Sequence, residues 1–180
     1  MYPKKPPHAR ATIVTAWVEP DDMLPFHRLR QAFFPGHRNF LSAHVTLFHH
    51  LSPGMRDRAI ALAKDHNWAE QLSLQDGTLS VGVTKVFSMG KGVAYALEPE
   101  PLIALRKPLR DAFDGEFTSQ DARPWKRPHI TVQNKVDTQT ADRLNRHLAA
   151  RFEPCTLRVK GLCFYRYDYG PWTLLEEVGF

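Results

Sequence analysis

Two short runs of this chain, His44-Val45-Thr46-Leu47 and His129-Ile130-Thr131-Val132, each place an imidazole and a hydroxyl two residues apart with an apolar residue after each. In a β-strand, residues two apart share a face, so each run presents His and Thr on one side and buries its apolar pair on the other. With nine His, eleven Thr and 43% hydrophobic residues, chance predicts about 0.1 such tetrapeptides in the chain, against two observed. Imidazole titrates near pH ~6.5, so at neutrality one histidine can accept a proton from an attacking water or hydroxyl while a second, protonated, donates to the leaving oxygen. A Thr beside each ring can bond a nonbridging phosphate oxygen, and its restricted χ1 holds the hydroxyl in place. The pattern points to phosphoryl transfer without a metal on a phosphodiester or cyclic phosphate. His44 and His129 form the acid–base pair, and Thr46 and Thr131 hold the phosphate. His44, His49 and His50 make a poor metal site, because neighbouring strand residues face opposite ways and no carboxylate completes the set. No metal and no cofactor is expected.

These residues need elements to position them. Residues 11–18 (ATIVTAWV) are apolar and β-branched, as in a strand, and Glu19-Pro20-Asp21-Asp22 punctuates it, with an Asp placed to cap a helix. Met23, Leu24, Phe26, Leu29, Phe33 and Phe34 then recur at helical intervals until Pro35-Gly36 ends the segment. Residues 42–48 alternate as a strand, Ser52-Pro53 opens a helix over 55–68, and 72–87 is extended but split at Asp76-Gly77. From residue 93 the order repeats: strand 93–97, helix 100–113, strand 128–133, helix 138–152, strand 156–166. A last segment, 172–178 (WTLLEEV), reads as an extra strand with a helix-compatible composition. The first ten residues, rich in Pro, Lys and Arg, read as an irregular arm.

The expectation is one α+β domain over 1–180, with an arm at 1–10, similar halves at about 11–88 and 91–166, and a terminal segment 167–180. Such a chain has two similar lobes, each a small sheet covered by helices, with a central cleft where groups from both halves converge. A length of 180 residues suits one domain rather than two independent ones. The net charge of +5 favours anionic partners such as an RNA terminus or a nucleotide-like phosphate. No run approaches the ~18 apolar residues of a membrane helix, and no apolar segment follows the charged start, so no membrane and a cytoplasmic location are expected. Cys155 and Cys163 match neither a disulfide framework nor a zinc spacing.

HVTL and PHITV, on corresponding strands half a chain apart, resemble the signature of the two-histidine phosphoesterase superfamily, in particular the 2′-5′ RNA ligase and RNA 2′,3′-cyclic phosphodiesterase family. The resemblance covers most of residues 11–180 in element order and about ten residues in specific motif. It implies a bilobal, pseudo-twofold α+β fold of two small, mainly antiparallel sheets flanked by helices, acting on 2′,3′-cyclic phosphates or 2′-5′ linkages, with His44, Thr46, His129 and Thr131 in the central cleft. Where that family continues its first motif through an aromatic and a glycine, this chain has Phe48-His49-His50-Leu51. Further residues placed to contact substrate are Phe48, then Trp125, Lys126 and Arg127 before the second motif, and Tyr167 and Trp172 near the end. Their bland alternatives are a solvated basic loop and a core rim. The other functional class compatible with the sequence is an RNA- or nucleotide-binding protein on the same fold with weak or no catalysis.

Overall fold

The computed structural model describes residues 10–180, so the arm, apart from Arg10, lies outside the described residues. The elements that position the site are β1 (Thr12–Val18), α1 (Pro20–Phe33), β2 (Thr46–Leu51), α2 (Pro53–Asp65), α3 (Trp68–Gln71), β3 (Leu74–Gln75), β4 (Thr78–Ser88) and β5 (Gly92–Leu97). They are followed by α4 (Pro99–Ala112), α5 (Ser119–Ala122), β6 (His129–Asn134), α6 (Thr138–Ala149), β7 (Cys155–Tyr167) and β8 (Trp172–Gly179). Pro20, Pro53 and Pro99 each sit in the first helical turn, where a missing N–H costs nothing. Asp76 and Gly77 both take positive φ, which turns β3 tightly into β4. The terminal segment is the extra strand, β8, paired along β7.

The strands form one antiparallel sheet of eight, ordered β2-β1-β7-β4-β5-β6, with β3 on β4 and β8 on β7. Exchange β1 with β5, β2 with β6 and β4 with β7, and the order reads the same backwards. That is the pseudo-twofold, and its axis falls where Val81 faces Leu157. The first parts of β4 and β7 pair with each other, while their far parts diverge to pair with β5 and β1 respectively. The two groups of strands are therefore wings of one hydrogen-bonded sheet. At 11 and 13 residues, β4 and β7 are long enough to serve both the centre and a wing.

Matching backbone bonds tie the wings to their helices. Glu19 N–H donates to Arg158 O at 2.8 Å and Glu98 N–H to Gly82 O at 2.8 Å, each just before a proline that starts a helix. The core lies between sheet and helices and includes Val14, Leu47, Phe48, Leu102, Leu105, Ile130, Leu157 and Phe164. Helix α1 packs on β6, a strand of the other half, and α6 packs on β4 and β5. No described helix is long and apolar enough to cross a membrane. Cys155 is exposed, Cys163 is buried, and both are free thiols on β7.

Candidate active site

The two motif strands stand at opposite ends of the strand order, yet His44, Thr46, His129 and Thr131 line one small pocket, together with His49 and Trp125. The sheet must curve until its ends face each other. Val45 and Leu47 are buried beneath the first pair, and Ile130 and Val132 beneath the second. Backbone bonds tie both motifs to their neighbour strands: Leu97 N–H donates to Pro128 O at 3.0 Å, just before His129, and Ala16 N–H to Val45 O at 2.9 Å, just after His44. His44 precedes the first paired residue of β2, Thr46, so this bond continues the pairing beyond it.

Both imidazoles are oriented in the same way. His44 Nδ1 lies 2.7 Å from Ser42 O, and His129 Nδ1 lies 2.8 Å from Arg127 O. A carbonyl only accepts, so Nδ1 carries the hydrogen in each ring and Nε2 is left to react. The Trp172 ring packs against His44 with centroids 4.7 Å apart, and Phe87 meets His129 edge-on at 5.9 Å. Burial pushes the His44 pKa down to about 4, and the nearby charges of Arg30, His49 and His129 add to this against the opposing Ser42 bond.

A pH dependence of stability follows. Below its ordinary value of 6.5 the unfolded His44 binds a proton that the folded ring refuses until about 4, so the unfolded state holds more protons across that window. Unfolding free energy therefore falls as pH is lowered through it. In denaturant melts at pH 7.5 and pH 5, a His44→Gln variant is expected to lose less stability than the parent.

Helix α1 clamps both motifs. Arg30 is buried and donates from Nε to Asn39 Oδ1 and Leu41 O, each at 2.9 Å, and from Nη1 to Thr131 O at 3.0 Å. One guanidinium thus joins the loop leading to His44 with the strand carrying Thr131. His27 Nδ1 accepts the Ala43 N–H at 3.0 Å, and burial lowers its pKa. Sequence reasoning assigned neither residue a role. The available signal was Arg30 standing in register with Met23 and Phe26 on the buried stripe of α1.

The substrate-contact expectations divide. Trp125 lines the pocket, and Trp172 adjoins it through His44. Arg127 contributes its carbonyl to His129 and lays its guanidinium over the Phe87 ring at 5.2 Å. Lys126 is exposed beside them. Tyr167 is exposed against Tyr169, with ring centroids 5.7 Å apart, and is absent from the lining of the His44–His129 pocket. Phe48 is a correction: it is fully buried, stacked on Phe117 at 5.3 Å and capped by the Arg106 guanidinium at 4.6 Å.

The cause is a β-bulge. Val14 pairs with Phe48 but Thr15 with Thr46, so β2 carries an extra residue there. Leu47 and Phe48 are consequently both buried, and His49 takes the pocket position that strict alternation denied it. Behind it, Asp121 of α5 is 2% exposed and accepts from His49 N–H at 2.9 and 3.0 Å, His50 N–H at 2.7 Å and His49 Nδ1 at 3.2 Å. Burial raises the Asp121 pKa, but these bonds outweigh it and keep the carboxyl below its ordinary range. Arg106 lies between the Phe48 and Trp125 rings, 4.6 and 4.7 Å from their centroids, and so steadies the pocket wall.

The sequence profile of the 2'-5' RNA ligase superfamily matches residues 13–171. The chain belongs to this superfamily. Solved structures of the same fold include TT0787 of Thermus thermophilus, with a TM-score of 0.62 and 16% identity over 94% of this chain and 97% of that one. E. coli LigT complexed with 3'-AMP has a TM-score of 0.54 and 16% identity, covering 95% and 98% of the two chains. Kluyveromyces marxianus Usb1 with uridine monophosphate reaches 0.50 at 13% identity, covering 97% and 100%. A search of curated proteins finds no match. For this 2'-5' RNA ligase superfamily member, the profile supports phosphoesterase-type chemistry, and the structural likenesses establish the fold.

Proposed function

We propose that the chain is a metal-independent phosphoesterase that hydrolyses a 2′,3′-cyclic phosphate or a 2′-5′ phosphodiester of RNA or a nucleotide. The observation that carries this reading is the single pocket lined by two imidazoles and two threonines from opposite ends of the sheet. His44, kept neutral near pH 7 by burial and its cationic neighbours, removes a proton from water through Nε2. The water oxygen bonds to phosphorus, the P–O bond to one ribose oxygen breaks, and that oxygen takes a proton from His129 Nε2–H. Thr46 and Thr131 donate to the nonbridging oxygens and hold phosphorus between the two rings. Ligation would follow the same path with a 5′-hydroxyl in place of water, its oxygen bonding to phosphorus as the ring P–O bond breaks.

The nucleotides in the LigT and Usb1 structures and the net charge of +5 support an RNA terminus or nucleotide-like substrate. A location in the cytoplasm accords with such a substrate. The test is incubation of the protein with adenosine 2′,3′-cyclic phosphate in the presence of EDTA, followed by ³¹P NMR. A phosphomonoester is expected to appear at an undiminished rate. Abolition by the chelator would exclude the mechanism. Binding without turnover, weakening steeply with salt, would favour an RNA- or nucleotide-binding protein instead.

A further inference from the structure

We infer that His49 is a third imidazole of the reacting pocket, held by Asp121 so that its Nε2–H meets the phosphate and takes up the charge that builds there in the transition state. This rests on the phosphoesterase reading above. The bulge in β2 brings His49 into the lining shared by both motif histidines and both threonines. Asp121 decides how the ring stands. A carboxylate only accepts, so the 3.2 Å contact puts the hydrogen on Nδ1 and leaves Nε2 for the pocket.

The partner behind this ring differs in kind from the other two. His44 and His129 rest on neutral carbonyls, whereas His49 rests on a buried anion. Set between Asp121 and a bound phosphate, the ring can donate from Nδ1 to one and from Nε2 to the other, a bridge between two anions. The reaction needs such a group. As water adds to phosphorus, negative charge grows on the nonbridging oxygens, which two neutral threonine hydroxyls hydrogen-bond but do not neutralise. Two guanidiniums near the pocket are held elsewhere, Arg30 by backbone carbonyls and Arg106 between two aromatic rings, and Arg127 lies over the Phe87 ring.

The competing explanation is that Asp121 merely pins α5 to β2. That pin is made by the backbone N–H groups of His49 and His50, which survive any side-chain change at position 49. His49→Gln therefore separates the two. With adenosine 2′,3′-cyclic phosphate as probe, His49→Gln is expected to lower kcat about 10- to 100-fold with KM within about twofold. Inhibition by the adenosine–vanadate complex, a five-coordinate mimic, should weaken by the same factor as kcat/KM. Asp121, a positioning residue, should act only through this ring: Asp121→Asn lowers kcat in the parent and adds nothing in the His49→Gln background.

An unchanged kcat in His49→Gln overturns the inference, and so does a full further loss on adding Asp121→Asn. If Asp121→Asn fails to fold, the vanadate comparison on His49→Gln alone decides. Should the parent not turn over the probe, the phosphoesterase reading fails by itself. Inorganic phosphate titrated against ¹⁵N-labelled imidazoles then still tests His49, which must respond together with His44 and His129. A silent His49 ring overturns its place in the pocket.

Discussion

Replacing either His44 or His129 by Asn is expected to lower kcat on a nucleoside 2′,3′-cyclic phosphate by about 10²- to 10⁴-fold, the range that one positioned acid or base contributes. The two rings have the same build: Nδ1 is tied to the carbonyl two residues before it, and Nε2 is free for the reacting oxygen. Asn can keep a hydrogen bond to that carbonyl through its amide, so the variant removes proton transfer while preserving much of the local geometry. On the proposed mechanism one ring takes a proton while the other gives one, so the double variant should cost little more than the worse single variant. Steady-state kinetics with melting temperature as the folding control measures this. Full activity in either single variant would remove the two-histidine mechanism.

A loss of stability, rather than of affinity, is expected at Phe48. Its ring is wholly buried, parallel to Phe117 at 7° and under the Arg106 guanidinium. Phe48→Ala should cost about 3–5 kcal/mol through the lost transfer energy and the cavity left behind. For a chain of this size that lowers the melting temperature by roughly 10 °C. The change also removes one of the two rings that hold Arg106, and with it support for Trp125 at the pocket wall. A large rise in KM with unchanged stability would instead restore Phe48 to the substrate surface.

Both predictions bear on how much of the molecule could be read before it was folded. The helices and strands were legible because periodicity is local: Met23, Phe26 and Arg30 share one helical stripe, and Val132 alternates with Thr131 on a strand. The paired motifs were legible because His and Thr two apart must share a face if the strand is regular. That same rule misled at Phe48. Its condition failed within two residues of Thr46, where one extra residue in β2 reversed the phase and buried Phe48 while turning His49 to the pocket.

What the sequence alone determined, then, was the set of elements, their repeated order and the two His-x-Thr faces, all consequences of steric and hydrophobic patterning over a few neighbouring residues. The tertiary structure decided that strands at opposite ends of one sheet meet, that Arg30 bridges both motifs, and that Asp121 lies behind His49 across 72 residues of chain. Such contacts join segments with no local signature. They are set by how the long strands pair and curve and by which buried polar atom must find a partner, and those constraints exist only once the whole chain has packed.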